Sequence, residues 1–456
     1  MSNLFGTDGI RGIANAYPIT PEVGVRLGRA VVRRCRRKGT PCSAVIGRDT
    51  RASGQMLALA VASGVLSAGG NAYMVGQVPT PGVAYLTRSF RAGMGIVISA
   101  SHNPHEYNGF KLFSSKGFKL SEDEETGIEE RIHASEAPHS ETHPGRAEFP
   151  KETWRQCVGY LERSFPDHLT LKGTKLVLDC ANGAAFQVAP ALFERLGATA
   201  VILSSVPDGI NINDHCGSQY PEAVREEVLK TGAQAGLAFD GDGDRLVAVD
   251  EKGSIFTGDQ ILAICAGMLK GQDALQNNLV VSTIMSNMGL GFALREMGIQ
   301  LATTGVGDRH VMEAMKERKA IVGGEESGHI IFLNHHTTGD GILSALQLLS
   351  AMQWFDKPLS ELGRMMTVFP QALLNVPVRE KREFAAVPGL PEVIRHVEEA
   401  LGSRGRVVVR YSGTEPLCRV MVEGENKDDV ERYAEEIAGV IGQALSYSNS
   451  SDSSAG

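Results

Sequence analysis

Short apolar runs alternate with segments of helical periodicity along the 456-residue chain, the pattern of layered α/β units. Residues 21–38 open on Pro21 and place Val23, Leu27, Ala30 and Val31 on one face, which predicts an amphipathic helix with proline in its first turn. Ser43–Asp49 predicts a strand running into a polar loop, and residues 53–68 a second helix. The run from Ala92 to Ser99 ends a further strand at the next polar cluster. Residues 121–150 are charged and contain proline, and predict a boundary near 150. A second unit follows, with a strand from Lys175, a helix over about 184–196 and a strand from Gly236 to Phe239. A third begins near 256, with a helix over about 258–270, a strand from Leu279 and a last helix over about 340–355. The theme of strand, small polar loop and helix recurs in all three and predicts three related α/β domains, 1–150, 151–255 and 256–370. From 371 the composition shifts towards Val, Arg and Glu and predicts a smaller α+β domain to 446. Residues 447–456 are low in complexity and predict a disordered tail.

Composition narrows the function. Hydrophobic residues make up 42% and charged residues 21%, which excludes global disorder. Lys plus Arg number 45 against 53 for Asp plus Glu, a formal charge of -8. That balance argues against a nucleic-acid partner but allows a small anionic substrate held by local Arg. The seven Cys are odd in number and form no CxxC pair, so reduced thiols in a cytosol are expected rather than a disulfide framework or zinc ribbon. The N-terminus lacks the cationic and apolar regions of a signal peptide. No apolar run approaches the roughly 18 residues of a membrane span, so a cytoplasmic protein without a membrane partner is expected.

Four short segments could carry chemistry. Ser99–Pro104 follows an apolar strand and could hold a Ser exposed beside His102 and a rigid Asn-Pro turn; an ordinary turn has the same composition, and no GxSxG elbow surrounds it. Phe239–Arg245 places Asp240, Asp242 and Asp244 at alternate positions between glycines. Oxygen-only ligands so spaced suit Mg²⁺ or Ca²⁺. An EF-hand would start alike, with Glu251 at position 12, but Arg245 stands where its turn glycine belongs. A haloacid-dehalogenase-type loop would have Thr where Asp244 stands. Gly323–His329 crowds hydroxyl, carboxylate and imidazole into a glycine-rich loop that could pair with sugar hydroxyls or be a plain turn. Val409–Pro416, with Arg419, offers guanidinium groups, hydroxyls and turn amides to a phosphate, or is a hairpin with exposed Arg. There is no Walker A motif and no GxGxxG after a strand. Phe5–Gly12 could bring Arg11 into a cleft or be only a tight lead-in.

One such segment falls in each expected domain, which suggests a cleft where four domains meet. In this order the motifs resemble the α-D-phosphohexomutase superfamily, over the chain to about residue 445. A finer likeness to its amino-sugar branch lies in Phe5–Gly12, Asn211–Ser218, Val306–Arg309, Gly323–His329 and Thr337–Ile342. The resemblance implies three mixed α/β domains and a smaller C-terminal α+β domain around a central cleft. It implies an isomerase that interconverts glucosamine 6-phosphate and glucosamine 1-phosphate through glucosamine 1,6-bisphosphate, on the route to UDP-N-acetylglucosamine and cell-wall polymers. Ser101 would carry the phosphoryl group as phosphoserine, primed by the bisphosphate or a kinase. One Mg²⁺ would be bound by Asp240, Asp242, Asp244 and a phosphoserine oxygen of Ser101, with Arg245 adjoining. Lys111 and Arg11 would face the reacting phosphoryl, and the general base stays open between His329, Lys111 and a phosphate oxygen. Glu325 and Ser327 would hold the sugar, and Arg410, Ser412, Gly413, Thr414 and Arg419 the phosphate that does not react. The resemblance also implies a homodimer, and turnover of the bisphosphate suggests a hinge near 365–372. Two positions depart from the usual pattern: Glu326, where this branch more often has Gln, and Asp308, where hexose-specific relatives have His. The competing readings are a phosphomannomutase/phosphoglucomutase of the same fold, a non-catalytic sugar-phosphate sensor and a Mg²⁺ phosphatase.

Overall fold

The computed structural model describes residues 4–6, 8–134, 143–412 and 416–445; the expected tail lies outside them. Four sheets follow one another along the chain. The first has six strands in the order Ile10–Ile13, Tyr107–Ser114, Met94–Ile98, Ser43–Arg48, Asn71–Gln77, Ala147–Glu148. The second orders Ile255–Phe256, Leu246–Asp250, Ala235–Phe239, Lys175–Asp179, Thr199–Leu203. The third orders Gln300–Thr304, Leu279–Thr283, Val322–Gly324, Ile330–Phe332. In each, parallel strands carry an antiparallel addition at one edge. The fourth is antiparallel throughout: Gln371–Pro377, Leu417–Glu423, Arg406–Tyr411.

The expected strand–loop–helix theme holds after Ser43–Arg48, Lys175–Asp179 and Leu279–Thr283, each followed by a helical segment. It fails at the three motif loops. There the chain returns as an antiparallel strand: Tyr107–Ser114 on Met94–Ile98, Leu246–Asp250 on Ala235–Phe239, and Ile330–Phe332 on Val322–Gly324. Leu246–Asp250 and Ile330–Phe332 are short apolar runs that cannot present a helical face, and Tyr107–Ser114 is rich in aromatic residues that favour strand.

Pro21–Lys38 is helical as predicted, its start capped by the Thr20 hydroxyl and its end closed by left-handed Gly39. It crosses Ala52–Ser67 closely enough that a Cβ at Gly28 would lie 2.2 Å from the Val61 carbonyl, and one at Gly64 2.1 Å from that of Val25. These helices and the first sheet share a core that includes Leu27, Val31, Ile46, Val61, Ile96 and Phe110. The charged stretch after 121 contains the helix Glu122–His133, whose Ile128 and Ile132 join that core. The single helix expected over 184–196 is divided into a 3₁₀ turn, Ala184–Phe186, and a helix, Val188–Arg195. Gly341–Phe355 starts on Asp340, whose carboxylate accepts from the amides of Ile342 and Leu343.

The chain divides into two compact units. One comprises Met1–Ser286 and Ala293–Met366, the other Asn287–Phe292 and Thr367–Gly456. Within the second, the Asn287 amide donates to the Phe369 carbonyl at 2.9 Å and accepts from its N–H at 3.0 Å. The Met288 N–H donates to Glu423 at 2.7 Å, and Phe292 stacks on Phe369. All seven cysteines are free thiols, six of them buried and Cys42 half-buried. Among the described residues no helix is long and apolar enough to cross a membrane.

Candidate active site

Ser101 lies just past the Met94–Ile98 strand in a left-handed conformation, φ 52°, one that costs a residue with a Cβ on the order of 1 kcal/mol or more. Its backbone is tied on both sides. The N–H donates to the Ser99 hydroxyl at 3.0 Å, and the carbonyl accepts from Arg51 and from Asn213, each at 2.9 Å. Its hydroxyl donates to Asp240 Oδ2 at 2.6 Å. Arg51 is wholly buried and forks between Asp49 and the carbonyls of Ser101, Asn103, Pro104 and Tyr107.

The acidic loop joins two antiparallel strands of the second sheet, so it projects as a tight hairpin end. Gly241 is required there, because a Cβ would lie 2.5 Å from the Ser101 carbonyl. Asp240 Oδ1 accepts from the amides of Asp244 and Arg245, each at 3.1 Å. Asp242 Oδ2 accepts from Thr80 Oγ1 at 2.5 Å and Lys111 Nζ at 2.8 Å. Asp244 Oδ2 accepts from Lys111 at 3.3 Å. Asp242 Oδ1 and Asp244 Oδ1 are buried without a hydrogen-bond partner, and one carboxylate oxygen from each of the three lies within 4.8 Å of the others. Buried lone pairs left unused in an all-oxygen cluster fit a hard divalent cation. The Glu251 side chain is bonded instead to Ser360, so it is no twelfth-position ligand and the EF-hand reading falls.

Charge is closely interleaved here. Burial and the neighbouring Asp244 and Asp242 push the Asp240 carboxyl well above the usual range. Burial would raise Asp244 too, but Lys111, His329 and Arg245 hold it well below. Lys111 is kept protonated against burial by Asp242, Asp8 and Asp244. Arg245, half-buried, is held charged by Asp244, Asp240 and Glu325. Asp8 further pairs with Arg11 and Lys119, and Lys119 reaches Asp308 at 2.5 Å. Arg11 donates to the Asn103 side chain at 3.1 Å, which brings it to the Ser101 loop.

In the third sheet, His329 is buried, with Nδ1 3.6 Å from Asp244 and Nε2 3.6 Å from Asp308. The Gly339 N–H donates to Nε2 at 3.2 Å, which favours the Nδ1–H tautomer facing Asp244. Burial lowers this imidazole's pKa, but the two carboxylates outweigh it and the net shift is upward. Glu325 is half-buried and accepts from the Gly307 amide at 3.1 Å; Ser327 is exposed and Glu326 half-buried. The structure thus brings Ser101, Arg11, Lys111, the three aspartates, Arg245 and His329 together, with Glu325 joined to them electrostatically through Arg245. In the C-terminal unit, Arg410 and Arg419 face each other across paired strands. Burial and the neighbouring Arg419 lower the Arg410 pKa, and its Nε is buried without a hydrogen-bond partner, an arrangement that suits a dianion. Ser412 is buried, and its carbonyl accepts from Lys381 at 2.5 Å. Gly413 and Thr414 lie outside the described residues.

Sequence reasoning missed Asp8, Asp49, Arg51, Thr80, Lys119 and Asn213 as parts of this site. Of these, Asp8 and Asn213 had a signal, lying in Phe5–Gly12 and Asn211–Ser218, two of the segments noted for their likeness. An arginine in Gly47–Arg51 reads as a surface charge until the fold encloses it.

Four family models together span most of the chain: "Phosphoglucomutase/phosphomannomutase, alpha/beta/alpha domain I" at residues 2–139, domain II at 159–253, domain III at 257–369, and the C-terminal domain at 373–440. The chain is 51% identical to a phosphoglucosamine mutase of Syntrophus aciditrophicus over 98% of its own length and 100% of the relative's. It is 49% identical to that of Syntrophobacter fumaroxidans at the same coverage. Among solved structures, a phosphoglucomutase/phosphomannomutase family protein of Burkholderia thailandensis superposes with a TM-score of 0.81 at 26% identity over 97% of both chains. An N-acetylphosphoglucosamine mutase of Aspergillus fumigatus, in complex with GlcNAc-6P and magnesium, gives 0.69 at 18% identity over 97% of this chain and 96% of that one, a likeness of fold.

Proposed function

Because the chain belongs to the phosphoglucomutase/phosphomannomutase family and carries all four of its domains, we propose that it is an isomerase interconverting glucosamine 6-phosphate and glucosamine 1-phosphate. The choice of amino sugar is supported by relatives about half identical over nearly full length that are named phosphoglucosamine mutase. The observation that carries the chemistry is the Ser101 hydroxyl, 2.6 Å from Asp240 in a cluster of buried carboxylates with unused lone pairs.

Ser101 acts as the phosphoryl carrier. Its Oγ–P bond breaks as a P–O bond forms to the free hydroxyl of the sugar phosphate, giving glucosamine 1,6-bisphosphate and releasing the hydroxyl proton. The bisphosphate reverses in the site, its other phosphate returns to Ser101 Oγ, and the proton goes back to the freed sugar oxygen. The phosphate has moved between C6 and C1, and the phosphoserine is restored. The first phosphate comes from the bisphosphate or from a kinase. Asp240, Asp242 and Asp244 would hold a divalent cation, Mg²⁺ by their all-oxygen chemistry, which would supply positive charge to the transferring phosphoryl group. Lys111, held protonated, adds fixed charge beside the carboxylates, and Arg11 faces the same loop. Of the side chains considered for the hydroxyl proton, Lys111 is committed to its charge, which leaves His329 to exchange it. Glu325 and Ser327 hold the sugar, and Arg410, Ser412 and Arg419, with Gly413 and Thr414, grip the phosphate that does not react. The seven free thiols agree with a cytosolic setting. A homodimer agrees with helix Ala52–Ser67, which has no charged residue and exposes Met56 and Leu59.

Labelled glucosamine 1,6-bisphosphate tests this reading. Label is expected on the Ser101 peptide, and Ser101→Ala is expected to lose at least about 10³-fold in turnover while melting within a few degrees of the parent. Unchanged turnover in Ser101→Ala, or stoichiometric release of inorganic phosphate by the parent, overturns it.

A further inference from the structure

We infer that Arg51 and Asn213 are positioning residues that fix the Ser101 loop for phosphoryl transfer, an inference that rests on the function proposed above. Ser101 and Asn103 present their carbonyls to the same two side chains. Arg51 donates to them at 2.9 and 2.8 Å, and the Asn213 amide at 2.9 and 3.0 Å. Four hydrogen bonds thus join two donors to two acceptors. Arg51 is held in turn by Asp49, which accepts from its Nε at 2.8 Å and its N–H at 3.0 Å. Asp49 also accepts from the Ser99 hydroxyl at 2.6 Å, the group that receives the Ser101 N–H. Both backbone polar groups of Ser101 are therefore committed to side chains, and its hydroxyl is directed to Asp240.

The two clamping residues come from different sheets. Arg51 follows a strand of the first, whereas Asn213 lies on a loop of the second, where its own N–H donates to the Ala181 carbonyl at 3.0 Å. A Cβ at Gly241 would meet the Ser101 carbonyl at 2.5 Å and the Asn213 amide nitrogen at 2.7 Å. The acidic loop, the Asn213 amide and the Ser101 carbonyl consequently share one small volume, and a shift of any of them moves the Ser101 hydroxyl relative to the carboxylates. Neither clamping side chain is placed to touch the reacting atoms. Their effect is on where the carrier oxygen stands, and an error of about 1 Å there can cost about 10²-fold in rate. Lysine cannot replace Arg51, since one ammonium cannot reproduce a planar fork serving Asp49 and four carbonyls.

The test compares the full-length parent with Asn213→Ala, Asn213→Asp and Arg51→Lys, using glucosamine 6-phosphate as substrate and labelled glucosamine 1,6-bisphosphate as primer. Each variant is expected to lose about 10- to 100-fold in kcat. KM and Mg²⁺ affinity by titration calorimetry should stay within about two-fold of the parent, and the rate of label transfer to Ser101 should fall with kcat. Asn213→Asp keeps the size of the side chain and removes its donor, so a space-filling role would leave it active. It also keeps the inference testable if Arg51→Lys does not fold. Parental kcat in folded Asn213→Ala and Asn213→Asp, or a loss confined to KM, overturns the inference while leaving the proposed function standing. A folded parent without mutase turnover overturns both.

Discussion

Three buried carboxylates crowd together in the acidic loop, and without a cation the repulsion that Asp244 and Asp242 exert on Asp240 works against the fold. Asp240→Asn relieves part of it, because an amide oxygen can still accept from the Asp244 and Arg245 amides that Asp240 serves. The variant is therefore expected to melt a few degrees above the parent in a chelator. In Mg²⁺ at about 100 times the parent's Kd, the parent gains about 2.7 kcal/mol from binding, the order should reverse, and the variant should turn over at least about 10²-fold more slowly. Paired thermal melts with and without Mg²⁺ check this, and a variant that melts lower in both conditions would contradict it. The same contrast separates what the sequence disclosed from what it concealed. Ser101 and the three aspartates stand in short polar segments directly after apolar strands, where an ordinary core has no use for them. Asp49 and Arg51 carry charges that usually face water, and only burial between sheets turns them into supports. Lys119 meets Asp8 and Asp308 across separations of 111 and 189 residues, which local pattern cannot report.

Regular elements were legible where one face is apolar and an end is signed. Pro21, the apolar face and Gly39 delimit one helix, and Asp340 begins another. The return strands after the motif loops were not, because a short apolar segment has the same appearance in either secondary structure. The helix Glu122–His133 was hidden for the opposite reason, since its polar residues outnumber the few positions that face the core. One of those is Glu125, paired with Arg309 of the Asp308–Arg318 helix. Burial pushes its carboxyl from an ordinary 4.5 up to about 7, although Arg309 pulls the other way. A folded-state pKa above the unfolded one gives stability that is complete below about 4.5 and lost as pH rises through about 7. Relative to Glu125→Gln, the parent is therefore expected to lose about 2 °C or more in Tm between pH 5 and pH 8. Melting both proteins at the two values measures this, and a constant difference would contradict it.

The distribution of one motif per domain made the four-domain plan readable in the sequence alone. The division into two compact units was not readable, because the helix Met288–Glu296 belongs by sequence to the third domain while its first residues pack within the C-terminal unit. Asn287 pairs with Phe369, Met288 with Glu423, and a Cβ at Gly289 would strike the Thr367 carbonyl at 1.8 Å. Since the chain passes between the units at 286–287, 292–293 and 366–367, cutting the last passage alone does not set the C-terminal piece free. A protein nicked by protease near residue 367 is expected to elute intact from a native sizing column and to separate only in denaturant; release of the 10-kDa-class fragment (about 90 residues) under native conditions would contradict this. Chimaeras between relatives face the same constraint. A donor's C-terminal domain grafted from residue 367 onward would arrive without the short upstream stretch it grew up against, so a working exchange has to transplant both pieces.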